Sequence, residues 1–423
     1  MSELGLGQSS TCSTYERIDC DVNELIEKDT HKLSKTFNIS VAEESKKVPH
    51  IDWTPKLHKN PIKFRFIIAA PNCPLNPLSK AIAKIFRLFY QQVETYNTKS
   101  FFYSQVKTFW VIQNNEHVIN SIKKLNRRSS VRSMSTFDFS TLYTKIPHEK
   151  LLEVLNGITD FCFQGGSHEH ISFSLSPKSR ARWVPNNSKA KIKFGIDLVK
   201  DALEYLMGNC YFTFGSKVFR QVIGIPMGSD PAPFMANLFL YHYESVWMKN
   251  LKKEDLQKAR RFSNTFRFID DLLTINDDNL FSENFGQIYL KELQLNLESS
   301  GDSVNFLDLN LNNCNGHVDV KLYDKRNNFP FSIVRLPFSS SNIPSSVFYN
   351  CVGAEILRIG RVSSTLENFK TDGKELLDRA LKQGAKKVRL ERLLKRVYDR
   401  HQALRKFHSN AKKFSDCFVI FFL

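Results

Sequence analysis

Residues 266–276, "FRFIDDLLTIN", set two adjacent carboxylates, Asp270 and Asp271, between two short apolar runs. Phe266, Phe268 and Ile269 on one side, and Leu272, Leu273 and Ile275 on the other, read as two strands meeting at a tight two-residue turn with the acids at its tip. Aspartate is common in turns because its side chain satisfies nearby backbone amides, so the stretch alone reads as an ordinary solvated turn. The pairing of like charges becomes informative only if a third acid and a cation belong to the same place.

The chain has 423 residues, enough for two or three domains or one large enzyme with several lobes. With 42% apolar and 12% aromatic residues it can bury a substantial core. Sixty Lys and Arg against 43 Asp and Glu leave a formal net charge of +17, which favours a polyanionic partner. No apolar run approaches the ~18 residues of a membrane span, so nucleic acid is the expected partner and a membrane is not. Eight scattered cysteines with no CxxC pair read as reduced packing residues of an intracellular protein, with neither disulfides nor a zinc site. The N-terminal stretch lacks the apolar core of a secretion signal.

Residues 1 to about 48 are polar, with one helix expected over Val22–Phe37. A β-like run and a helical pattern from Leu78 to Val93 follow, and residues 101–126 also read as helical. "SMSTFDFSTLYTKIPHEKLLEVL" (133–155) is a strand running into a helix, with Pro147 and Glu149 suited to the first helical turn. Residues 165–190, rich in Ser, Gly, Pro and Asn, read as a loop insertion. A helix over Ile196–Met207, a hairpin in "CYFTFGSKVFRQ", a long helix from Pro231 to Lys249, the acidic hairpin, a helix near 281–294 and two strands, "VNFLDLNLNN" and "HVDVKLYD", complete the middle of the chain. This interleaving lacks a strict βαβ repeat and predicts an α+β fold. Residues 345–413 read as helical, and from Arg379 to Lys413 there are thirteen Lys or Arg against two acids. Leu390, Leu393, Leu394, Val397 and Leu404 form an apolar stripe that leaves the charge on the opposed face, a candidate phosphate-binding surface.

Two further stretches bear on the acids. "TFDFSTLYTKIP" puts Asp138 at the end of an apolar strand, with Tyr143 five residues on. "IGIPMGSDPAPFMANLFLYHYE" has Gly224, Gly228 and three prolines before a long helix, a shape that lets backbone approach a ligand closely. Each alone has a bland reading as a cap, a turn or a loop, whereas the ordered set is far more specific.

Together with "PKLHKNPIKFRFI", "VNFLDLNL" and "PFSSSNIPSSVFYNCVGAEILRIGRVSST", in this order over about residues 51–400, the chain resembles the reverse transcriptase domain of Penelope-like retroelements, a group related to telomerase catalytic subunits. The resemblance implies a right-hand polymerase that copies RNA into DNA. It divides the chain into a polar leader (1–50), fingers (51–130), a palm (131–318) with the inserted loop 165–190, and a helical basic thumb with a C-terminal tail (319–423). It makes Asp138, Asp270 and Asp271 the catalytic acids and the ligands of two Mg²⁺ ions, with Mn²⁺ as a substitute. Such cations would offset a repulsion of roughly 4 kcal/mol between like charges ~4 Å apart at an effective dielectric of 20. Lys63 and Arg65 would clamp the triphosphate, Tyr143 would exclude a ribose 2′-hydroxyl, and Met227 and Gly228 would support the templating base and incoming nucleotide. Phe306, Leu307 and Asp308 match an FLD element expected to pack the palm. The implied partners are an RNA template, a DNA primer or target, and dNTPs. The implied location is the nucleus, since the family acts on chromosomal DNA. Ser229 is followed by Asp230 where the family commonly has proline, and nothing after Lys413 supplies the GIY-YIG endonuclease of many members. Two other functions share parts of this pattern: a degenerate domain that binds nucleic acid without extending it, and an RNA-dependent RNA polymerase.

Overall fold

The computed structural model describes residues 14–57, 61–331 and 333–419. Helices and mainly antiparallel sheets alternate along the chain, and contacts divide it into two units. The first comprises Met1–Val111, Asp138–Asp270 and Asn279–Asn296; the second comprises Ile112–Phe137, Asp271–Asp278 and Leu297–Leu423. The division does not follow the linear order, because antiparallel pairing joins strands far apart in sequence.

In the first unit a five-stranded sheet runs, edge to edge, through Tyr15–Ile18, Lys217–Gln221, Tyr211–Phe214, His50–Lys56 and Lys63–Ala69. The segment expected as a polar leader therefore supplies an edge strand, paired from Tyr15↔Gln221 to Ile18↔Val218. The helix Val22–Phe37 forms as expected: Asp21 caps it by accepting from the Asn23 amide at 2.6 Å, and Asn38 ends it in a left-handed conformation (φ 53°). Its inner stripe is Leu25, Asp29, Leu33 and Phe37, four positions at helical spacing of which one is an acid.

The helix expected from Leu78 extends over Asn76–Ser104, and a loop separates it from Glu116–Asn126, where a single helical stretch was expected over 101–126. Gln105 adopts a left-handed conformation (φ 55°) and stops the first helix. Residues 165–190 correct a second expectation. They contain the strands His170–Ser172 and Arg182–Val184, which with Lys193–Phe194 form a three-stranded sheet. Ile171, Val184 and Phe194 are buried there, so a few apolar residues in a Ser- and Gly-rich stretch are enough to organise it. They are too sparse to show a period.

In the second unit Asp271–Ile275, the first residues of Met134–Phe139 and the later part of Leu295–Ser300 lie side by side. The two strands expected over 304–324 are three, Ser303–Phe306, Leu309–Cys314 and His317–Leu322, in an antiparallel meander. Leu307, in a left-handed conformation (φ 55°), breaks the run "VNFLDLNLNN" in two. Helices Ser345–Val362, Leu366–Lys382, Lys387–Arg400 and Ala411–Val419 pack around Phe348, Ile356, Phe369, Leu390 and Leu394. On Lys387–Arg400 the buried stripe is Leu390, Leu393, Leu394 and Val397, opposite exposed Arg392, Lys395 and Arg396. Residues 420–423 and Cys12 lie outside the described residues. No helix among the described residues is long and apolar enough to cross a membrane.

Candidate active site

The strand Thr265–Phe268 ends in the two-residue turn Ile269–Asp270, and Asp271 opens the next strand. Ile269 has φ +56°, a conformation that costs a β-branched residue energy and that glycine usually fills at the first central position of such turns. Arg267 holds it there. This side chain is wholly buried, and its Nη1 donates to the Ile269 carbonyl at 3.0 Å and to Asn237 Oδ1 at 2.8 Å. Its Nε and Nη2 donate to the two oxygens of buried Glu244 at 2.5 and 3.1 Å, and Tyr289 donates its hydroxyl to Glu244 Oε1 at 2.7 Å. Burial acts to lower the Arg267 pKa, but Glu244 outweighs it and the net direction is upward. The turn that carries Asp270 is thereby fastened to the long helix Ala232–Glu254.

Asp138 is half-buried near the end of the strand Met134–Phe139. The amide of the next residue, Phe139, donates to the Asp270 carbonyl at 3.1 Å, which brings the two acids to one place. Asp270 carries the electrostatic record of that approach. Burial, and then the charge of Asp138, raise its pKa, while its own backbone amide, Arg65 and Lys56 act in the opposite direction. Arg65 and Lys56 come from the hairpin His50–Lys56/Lys63–Ala69, whose register pairs Thr54↔Arg65 and Lys56↔Lys63. Facing residues on adjacent strands share a side of the sheet, so Lys56, Lys63 and Arg65 form one basic face. Lys56 was not expected from the sequence, where it stands in "TPKLHK" with nothing to mark it.

Tyr143 lies in the short helix Leu142–Lys145 and is half-buried. Its hydroxyl pKa is pushed up, first by burial and then by the charge of Asp270, against Arg267 and Arg65. The glycine-containing loop closes onto the same turn. Gly224 donates to the Ile146 carbonyl at 2.7 Å and Ile225 to the Tyr143 carbonyl at 2.9 Å. A Cβ at Gly224 (φ +89°) would run into the Tyr143 carbonyl oxygen. Three residues further on, the Met227 carbonyl accepts from the Ile68 amide at 3.0 Å. At Gly228 (φ +107°) a Cβ would stand 2.6 Å from the Ile68 carbonyl oxygen. Only a residue without a side chain lets the loop lie this close to the basic hairpin. Asp230, where proline was the expected residue, donates its amide to Ser79 Oγ at 3.2 Å, a bond proline could not make.

The structure thus gathers Asp138, Asp270, Arg65, Lys56, Tyr143 and the Met227–Gly228 loop in the first unit. Lys63 is exposed at the end of its strand, and Asp271 is half-buried at the start of a strand of the second unit. Among the described residues no group of three or more His, Cys, Asp or Glu side chains is assembled closely enough to hold a metal ion by itself. In the FLD element Phe306 is buried and Asp308 accepts from Asn115 Nδ2 at 2.6 Å and Arg358 Nε at 3.1 Å, which is a packing role.

No protein-family model and no curated protein matches the chain. Among solved structures, telomerase from Candida albicans in complex with a TWJ fragment of telomeric RNA superposes with a TM-score of 0.57 at 12% identity, over 96% of this chain and 70% of that one. Apo telomerase from Candida tropicalis overlaps at a TM-score of 0.46 and 14% identity, over 94% and 69% of the two chains. At these identities the likeness is one of fold, and the specific resemblance to Penelope-like elements rests on the sequence segments alone. The chain has an α+β fold of the nucleic-acid polymerase kind, similar to that of a telomerase.

Proposed function

We infer that the protein is an RNA-directed DNA polymerase, a nucleotidyltransferase of retroelement type that extends a DNA primer on an RNA template. The observation that carries this reading is the grouping of Asp138, Arg65 and Lys56 around Asp270, with the Phe139 amide bonded to the Asp270 carbonyl at 3.1 Å and both cations on one face of their hairpin. The residues fit Mg²⁺. Two half-buried acids brought to one place, with the charge of Asp138 acting on Asp270, favour a cation beside them, and Mg²⁺ is commonly held by one or two carboxylates plus substrate phosphates and water rather than by a closed protein cage. Asp138 and Asp270 would hold it, with Asp271 in support. Bound there, Mg²⁺ supplies positive charge that lowers the pKa of a primer 3′-hydroxyl and neutralises the departing pyrophosphate.

The remaining work falls to the chain itself. Arg65 offers a planar fork to the triphosphate, and Lys56 and Lys63 add point charges on the same face of the hairpin. Tyr143 presents its ring beside Asp270 and excludes a 2′-hydroxyl, the group that distinguishes ribonucleotides. The Met227–Gly228 backbone, hydrogen-bonded to Ile68, supports the nucleotide from the opposite side of the loop. RNA template, DNA primer and dNTPs are the partners this reading requires, and the nucleus is the location it favours.

A nucleic-acid-binding domain without catalysis is the second reading, favoured by the absence of a closed three-acid cluster among the described residues. Primer extension on an RNA template with Mg²⁺ and dNTPs separates the two. The wild-type chain should incorporate deoxynucleotides, and Asp270→Asn should lose on the order of 100-fold or more in rate while binding RNA as before. Equal incorporation by the two proteins would refute the assigned catalysis.

A further inference from the structure

The second unit contains a cavity of about 440 Å³ that none of the acidic-site residues lines. Its floor is apolar: Ile122, Val320 and Val362 are all buried. Its rim carries Lys123, Arg127, Arg361 and Lys406, and no Asp or Glu lines it. Lys123, Arg127 and Arg361 are exposed, and among the described residues none of the four rim cations is paired with a carboxylate. Lys406 donates its ammonium to the Ser363 carbonyl at 2.7 Å. Its pKa falls to about 8, first through desolvation and then through the charge of Lys123. Lys123 and Lys406 are thus close enough for their like charges to be felt.

We propose that this cavity binds one nucleotide unit of a nucleic-acid strand, the phosphate at the cationic rim and the sugar and base over the apolar floor. Charge selects an anion, and two guanidinium groups with two ammonium groups approaching from separate elements match the several oxygens of a phosphate better than a single carboxylate. Volume selects a nucleotide over bare phosphate, because about 440 Å³ exceeds what one phosphate fills. Three of the polar side chains in the wall, Asn126, Ser363 and Ser364, are already committed to neighbouring groups, and the fourth, His317, stands beside Asn126. Asn126 donates to the Val318 carbonyl and accepts from the Val318 amide, both at 2.8 Å, and Ser364 Oγ accepts from the Val320 amide at 2.9 Å. Ser363 Oγ donates to the Ile359 carbonyl at 2.8 Å. With Asn126, Ser363 and Ser364 committed in this way and His317 alone left to meet a base edge, recognition rests mainly on phosphate and is largely independent of sequence. The site does not depend on the polymerase reading, since no residue of it belongs to the acidic centre.

The test uses the full chain, a fluorescein-labelled oligouridylate carrying 4-thiouridine, and the double variant Arg127→Ala/Arg361→Ala, whose altered residues are exposed and unpaired. Crosslinking should recover peptides containing residues 119–127 or 361–364 from the wild type and not from the variant. The variant should bind the strand roughly tenfold more weakly, with a log–log salt slope smaller by about 0.7 for each cation removed. Asp270→Asn should leave the crosslink unchanged, which separates this site from the polymerase centre. Equal affinity and salt slope in wild type and variant, or crosslinks confined to other peptides, would overturn the proposal. Full suppression of the crosslink by AMP at a matched phosphate concentration would reassign the cavity to a free nucleotide and overturn its assignment to a strand.

Discussion

Arg267 and Glu244 meet with no solvent exposure on either side chain, Nε to Oε1 at 2.5 Å, and the same guanidinium grips the carbonyl of Ile269 one residue before Asp270. A buried ion pair is a weak source of stability, because desolvation of the two ions offsets their attraction. Its value here is positional, since the arginine holds a backbone conformation that Ile269 would not adopt by itself.

Glu244→Gln should therefore cost about 3–5 kcal/mol, because it leaves a buried guanidinium without a counter-charge. Replacing both partners, Arg267→Met with Glu244→Leu, should recover most of that stability while primer extension stays low, since nothing then holds the turn. Thermal unfolding and incorporation rates measured on the same proteins would expose the separation. Recovery of both together would show that the pair serves stability alone.

Gly228→Ala should destabilise by about 1–3 kcal/mol, since alanine must take φ +107° and meet the Ile68 carbonyl. The loop should draw away from the basic hairpin, raising the KM for dNTP more than it lowers kcat. A variant with unaltered melting temperature and KM would contradict the close approach.

Tyr143→Ala should admit ribonucleotides. Incorporation of rNTP relative to dNTP should rise by on the order of tenfold or more, the scale expected when one steric exclusion in a pocket is removed. Competition between the two nucleotide types in a single extension assay reads this ratio directly, and an unchanged ratio would remove the tyrosine from sugar selection.

Asp29 has a pH signature of its own. It is 5% exposed, accepts from the Tyr205 hydroxyl at 2.7 Å, and burial raises its pKa to about 6 against the opposing effects of Tyr205 and Lys28. The folded chain thus keeps this proton after the unfolded chain has released it, so stability falls as pH rises from about 4 to about 6 and then levels off. Asp29→Asn keeps an oxygen for Tyr205 and removes the buried charge. It should stabilise by up to about 3 kcal/mol at pH 7 and by almost nothing near pH 4. Melting curves across that range that stay parallel for the two proteins would contradict the shift.

Much of the architecture was legible beforehand because it is written in local signals. Asp21, the apolar spacing and Asn38 announce the helix Val22–Phe37, and the short apolar runs on either side of the acidic turn announce its two strands. The three-stranded sheet built from two strands within 165–190 and Lys193–Phe194 was not legible. Strands of two or three residues carry no period, and only burial of Ile171 and Phe194 creates them.

The sequence by itself determined which residues are candidates for chemistry: a strand-end aspartate, a Met-Gly loop and an Asp-Asp turn, each bland alone and informative as an ordered set. Only the tertiary structure decided which of them meet. The proximity of Asp138 to Asp270 depends on a hydrogen bond between residues more than a hundred positions apart, and the inclusion of Lys56 depends on hairpin register. The place of Arg267 depends on a carboxylate 23 positions earlier, on the helix Ala232–Glu254. Long-range pairing and burial set these relations, and a linear pattern of residue types has no term for either.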